Sequence, residues 1–226
     1  MNASIIRNQF GRALMCTIAA VTVLTLSFMI LEPTVSRAQA SNTFAVRQTI
    51  TAEISFLATS SAVTMNGSIA GITGGNATGT TQVVVQTNSA GGYNMTLAFS
   101  GTPAMRGDAT ANTGIVNYGT TSVPTYNFFA SSSAVFAFNV SASNSPDVAT
   151  AFKNNGTVCN SGATVSLANC WMGPSTTPMV IINRTVAATT SATTTLQFRV
   201  NVPNNPNPAL QSDTYTATAT LTATAQ

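Results

Sequence analysis

The chain of 226 residues carries eight Lys or Arg, five Asp or Glu and no histidine, so only 6% of it is charged. Without histidine it lacks the commonest general base and metal ligand, which excludes Ser-His-Asp and Cys-His catalysis. The formal net charge of +3 at pH 7 is no nucleic-acid signature, because the basic residues are scattered rather than clustered.

The first 40 residues read as an export signal. Arg7 and Arg12 precede an apolar run over residues 13–30, Pro33 follows it, and Ala38-Gln39-Ala40 has the small-x-small form of a cleavage site. Cleavage before Ser41 is expected, leaving 41–226 as one domain with no membrane segment. The alternative is a retained anchor, for which the run sits at the short limit for a spanning helix. Three of the eight basic residues and one of the five acids precede Ser41, so the basic balance belongs mostly to the leader. The remainder relies on Thr, Ser and Asn for solubility. That suits a secreted or cell-surface protein and leaves few charges to keep strand edges apart.

Residues 41–57 alternate at once. Phe44, Val46, Ile50, Ile54 and Phe56 share one face with Ala52, and Arg47, Thr49, Thr51, Glu53 and Ser55 the other. Period two predicts a long amphipathic strand. It reads either as the first strand of its own domain or as a donor strand inserted into a neighbouring copy.

Residues 62–70 suggest a weaker strand and 71–79 a glycine-rich loop. This is not a phosphate loop, since GxxxxGK[ST] is missing. Residues 80–87 and 93–99 read as strands joined by NSAGG, which predicts a β-hairpin. A polar loop covers 101–113, a short strand 115–118, an aromatic cluster 126–130 and a strand 134–140. Residues 145–156 form the one expected helix, with Ser145 as cap and Pro146 in the first turn. Cys159 and Cys170, an even pair in an exported chain, predict a disulfide worth about 3 kcal/mol. Strands are expected over 178–187 and 195–202. PNNPNP at 203–208 is a stiff loop. Residues 213–226 (DTYTATATLTATAQ) predict one long strand, threonine on one face and small apolar residues on the other.

Nine to eleven strands with almost no helix predict an all-β fold, a single antiparallel β-sandwich or jelly roll behind the signal helix. Asp213-Thr214-Tyr215 leading into Thr-x-Thr-x-Thr is similar to the end strand of spore coat U and archaic chaperone–usher pilin domains, and residues 93–97, Arg106 and Tyr118 echo the middle of those domains. The layout also resembles camelysin-type fibre proteins, and TNSAGGYNMTL resembles an element of secreted bacterial surface proteins. This resemblance implies a sandwich, export and polymerisation by strand exchange, and it places no catalytic residue. The first strand lacks the cysteine of such pilins, and Asp213-Thr214 stands where they have glycine.

Chemistry has few candidates. Lys153 is the only lysine and sits among polar residues. Glu53, Asp108, Asp147 and Asp213 each have a simpler place on a strand face, a helix start or a turn. No enzyme activity, cofactor or metal is expected. Trp171 either stacks on a sugar or packs on the disulfide. The expected function is a pilus- or fibre-type structural subunit, with self-association or other surface proteins as partners. The alternative is a monomeric carbohydrate-binding module with glycan partners.

Overall fold

The computed structural model describes residues 3–31, 39–110, 112–119, 122–129 and 131–226. It divides into two units, Met1–Thr49 and Ile50–Gln226. The first holds α1 (Ala3–Leu31). Its stretch Phe10–Ile30 has a mean hydropathy of 2.2 and is long and apolar enough to cross a membrane by length and composition. An apolar N-terminal helix of this kind is compatible with a signal sequence. Residues 39–53 carry no helix or strand. The long strand expected over 41–57 is therefore reduced to β1 (Ile54–Ala58). Alternation sets a strand's faces, but a neighbour must take up its N–H and C=O groups before the strand forms.

The second unit is built from strands in two sheets. β2 (Gly75–Thr87), β3 (Tyr93–Phe99), β4 (Met105–Gly107), β5 (Gly114–Asn117) and β6 (Val135–Ala142) come first in the chain. β7 (Met179–Arg184), β8 (Ala188–Val202), β9 (Tyr215–Ala217) and β10 (Ala219–Ala225) complete the set. Seven strands pair in the order β1-β2-β8-β6-β5-β4-β9, and three in the order β10-β3-β7. Among the described residues, all pairings are antiparallel except β5 with β6. One core takes the inward residues of both sheets: Val83, Val85, Phe136, Phe138, Leu196 and Phe198 from the larger, Met95, Leu97, Phe99 and Ile181 from the smaller. Each large buried side chain contributes about 1.5–3 kcal/mol, and this alternation selects the register.

The expected hairpin over 80–99 is overturned. β2 pairs with β1 and β8, whereas β3 pairs with β7 and β10, so residues 88–92 pass from one sheet to the other. Both strands carry an apolar face, and these faces share the core instead of lying side by side. Gly92 permits the crossing. Its φ is +77°, and a side chain there would collide with the Arg184 carbonyl oxygen.

Further expectations change: β2 begins at Gly75, inside the loop expected over 71–79, and β4 lies within the loop expected over 101–113. The helix over 145–156 is two 3₁₀ turns, Ser145–Asp147 and Thr150–Phe152. Ser145 does not cap a helix. The chain extends between the turns because Ala149 N–H donates to Ile181 O at 3.0 Å, a bond to β7 that a continuous helix would forfeit. The strand expected over 62–70 is absent. Val63, Met65 and Ile69 still pack on the core, but Gly67 takes φ +75° and interrupts the extended run. The end strand divides at Thr218, since β9 pairs with β4 in the larger sheet and β10 with β3 in the smaller.

Candidate functional site

The residues expected to form a donor strand divide into two groups. Ile54 lies opposite Thr87 and Phe56 opposite Val85, so both belong to the larger sheet of their own chain. Asn88 closes this end of the strand: its side-chain N–H donates to Thr51 O at 3.1 Å, and its Oδ1 accepts from Glu53 N–H at 2.7 Å. Phe44, Val46 and Ile50 are 81, 85 and 83% exposed. Three large apolar side chains with strand spacing thus face solvent within seven residues. Gln48 stands between Val46 and Ile50 at the same parity, and exposed apolar side chains clustered in sequence mark a contact surface more than scattered ones do. Of the residues expected at the cleavage point, Ala40 and Ser41 are exposed and lie outside any helix or strand. Ala38 lies outside the described residues.

A second feature is the edge of the smaller sheet. Ser100 N–H donates to Thr218 O at 3.0 Å, and Gln226 N–H donates to Gly92 O at 3.1 Å. Backbone groups alternate sides along a strand. Even-numbered residues of β10 therefore bond to β3, and Ala219, Leu221, Ala223 and Ala225 aim their N–H and C=O groups the other way. Although β1 lies against β10, no other strand among the described residues is hydrogen-bonded to it. Its side chains alternate as expected: Leu221 and Ala223 pack on the core and the threonines face out.

Beside this edge lies a cavity of about 1190 Å³. Its walls include Leu97, Phe99, Phe136, Phe198 and Leu221, and residues 60–72 run along one side. That segment is lightly held. Asn66 N–H donates to Thr78 O at 2.9 Å, and Ser61 N–H donates to Thr81 Oγ1 at 3.0 Å. The space is partly open to solvent, a cleft and not an interior void. The 60–72 segment and the cavity were not legible in sequence, because neighbours in space, not periodicity, decide where the two sheet edges part.

Cys159 and Cys170 form a disulfide with Cα atoms 5.7 Å apart. Trp171 is 3% exposed. It packs in a second small core with Tyr118, Val135, Ala137 and Phe128, and its indole N–H donates to Ala168 O at 3.1 Å. Phe128 stands edge-on to Trp171, stacks on Tyr118 at 4.4 Å and takes the Arg199 guanidinium over its ring at 4.4 Å. The tryptophan offers no open face for a sugar. Nothing in the spacing of residues 118, 128, 171 and 199 announced this cluster, since the four come from distant segments.

Two of the acids hold the fold together. Asp147 pairs with Arg184 at 2.5 Å. Burial and then the Asp147 charge push the Tyr93 hydroxyl above its ordinary range. Asp213 accepts from the Thr110 hydroxyl at 2.6 Å, from Thr110 N–H at 2.9 Å and from Thr214 N–H at 2.8 Å. The Thr110 hydroxyl, followed by the backbone N–H groups, holds its carboxyl below the usual range. Among the described residues no three His, Cys, Asp or Glu side chains gather where a metal could sit. No protein-family model matches this chain, and no curated protein sequence matches it.

Proposed function

We propose that this protein is an exported structural subunit, a β-sandwich that builds fibres or a surface layer by joining strand edges between copies. The observation that carries the reading is the exposed row Phe44, Val46 and Ile50, alternating at strand spacing. Such a row has the form of a β-strand waiting for a sheet edge, and added strands bind through main-chain bonds and alternate side-chain pockets. The apolar N-terminal helix and the Cys159–Cys170 disulfide support export to an oxidising compartment. The low charge supports close packing of copies, since charged gatekeepers are few. The carbohydrate-binding alternative has less behind it, because the ring of Trp171 is covered.

Sedimentation velocity across a hundredfold concentration range tests this reading, with negative-stain electron microscopy of the same samples. The exported chain sediments as growing assemblies, and removing residues 41–53 returns it to monomer. A full-length exported chain that stays monomeric throughout refutes the reading.

A further inference from the structure

We propose that the Asn66–Gly67 step is a self-modifying site: Asn66 loses its side-chain amide as ammonia and becomes aspartate or isoaspartate, which unseats the 60–72 segment beside the cleft. The chemistry is intramolecular. The Gly67 nitrogen attacks Asn66 Cγ, the Cγ–Nδ2 bond breaks, and ammonia leaves with the Gly67 proton. Water then opens the five-membered succinimide at either carbonyl, so the chain continues through the α- or the β-carboxyl carbon. Only water is consumed. Glycine after asparagine favours the attack, because no Cβ screens its nitrogen.

Asn-Gly occurs twice, at 66–67 and 155–156, and the fold treats the two steps differently. Both asparagines are exposed. Asn155 is held fast. Its Oδ1 accepts from Thr157 N–H at 3.1 Å, from the Thr157 hydroxyl at 2.9 Å and from Val158 N–H at 3.0 Å. The Gly156 N–H, whose proton must leave, donates to Asn154 Oδ1 at 3.0 Å. Both reacting groups are therefore committed elsewhere. At the other step the Asn66 backbone N–H donates to Thr78 O at 2.9 Å. Among the described residues, neither the Asn66 side chain nor the Gly67 N–H engages in a hydrogen bond. A side chain at Gly67 would meet nothing within 4 Å, so the ring has room to close.

The consequence follows from packing. Val63 and Ile69 seat on bare backbone of β2: a Cβ at Gly79 would collide with Val63 Cγ1, and one at Gly75 would touch Ile69 Cγ2 at 3.5 Å. Asn66 lies midway between these two anchors. An isoaspartate link adds one carbon to the backbone between them, so both anchors cannot keep their places in a close-packed contact. The segment lines the cleft through Met65 and Ile69. Either product also adds a carboxylate. Residues 41–226, with five basic and four acidic side chains, then carry no net charge, which separates the product by ion exchange.

Protein spanning residues 41–226 is kept at mildly alkaline pH, folded or in urea. Its proteolytic fragments are followed by mass spectrometry, with fragmentation that separates aspartate from isoaspartate. In the folded protein the fragment with Asn66 gains the one-dalton mark of deamidation at least tenfold faster than the fragment with Asn155. In urea the two rates fall within threefold of each other, since both steps are Asn-Gly. Asn66→Gln, whose ring would have six members, removes the early product. Hydrogen exchange of residues 63–72 quickens at least tenfold in the deamidated protein. Equal rates in the folded protein, or Asn155 leading, overturn the site. An Asn66 lead of the same size in urea overturns the structural argument, because sequence alone would then explain it. Unchanged exchange of residues 63–72 overturns the unseating of the segment.

Discussion

Arg184 donates to Asp147 across 2.5 Å, and both side chains are largely buried. The pair joins the Ser145–Asp147 turn to β7. Arg184 also donates to Val186 O and Ala187 O at 3.0 and 3.1 Å, fixing the chain between β7 and β8. Removing one partner leaves the other charge buried and unpaired. Arg184→Ala is therefore expected to lower stability by about 3 kcal/mol. Replacing both residues by apolar ones of similar size costs less than the sum of the single changes. Urea unfolding of the four proteins measures this.

Tyr93 lies beside the same pair, and its hydroxyl titrates above the ordinary tyrosine range because it is buried and faces the Asp147 charge. A raised folded pKa means the protonated form is favoured by folding. That stability is fully present below about pH 10 and is lost as pH rises through the folded value. Melting temperature is expected to fall above pH 10, and Tyr93→Phe flattens the decline. An unchanged alkaline limb in Tyr93→Phe assigns the loss to other groups.

Asp213 has the opposite sign. Its folded pKa is depressed by the Thr110 hydroxyl and the Thr110, Thr214 and Ala109 N–H groups. The contribution is present above the unfolded value of about 3.9 and is lost as pH falls through the lower folded value. The carboxylate ties the 109–110 loop to the start of β9. Asp213→Asn is expected to shrink the fall in melting temperature between pH 5 and pH 2, which a pH series of thermal melts reads directly.

Gly92 carries the crossing between sheets at φ +77°. An alanine there meets both the left-handed backbone and the Arg184 carbonyl oxygen. Gly92→Ala is expected to cost more than the roughly 1–2 kcal/mol of the backbone conformation alone. Chemical denaturation measures it, with Gly67→Ala as comparison. Gly67 also has positive φ, but a side chain there meets nothing within 4 Å.

The same residues show what could be read in advance. Period-two alternation located the strands at 93–99, 134–140 and 195–202 and the inward faces of each, because burial of alternate side chains is a local signal. The cysteine pair was legible for the same reason: two thiols eleven residues apart behind an apolar N-terminal segment have few other uses. Connectivity between sheets was not. NSAGG between two amphipathic strands has the form of a hairpin, and only the matching of Val83 and Val85 with Met95 and Leu97 across one core sends β3 to the other sheet. Likewise DTYTATATLTATAQ alternates without a break, yet at Thr218 it passes from β4 to β3. A uniform pattern carries no mark of where a neighbour ends. The row Phe44, Val46 and Ile50 was legible as a strand pattern. Its exposure was not, since periodicity names the face without saying what covers it.

Amide hydrogen exchange of residues 44–53 compares dilute and concentrated protein spanning residues 41–226, with mass-resolved fragments covering this segment. As concentration rises, the account predicts that residues 44–50 pass from rapid exchange to protection at least a hundredfold greater. Assemblies in which residues 44–50 still exchange rapidly, or a protein whose exchange is the same at every concentration, would contradict it.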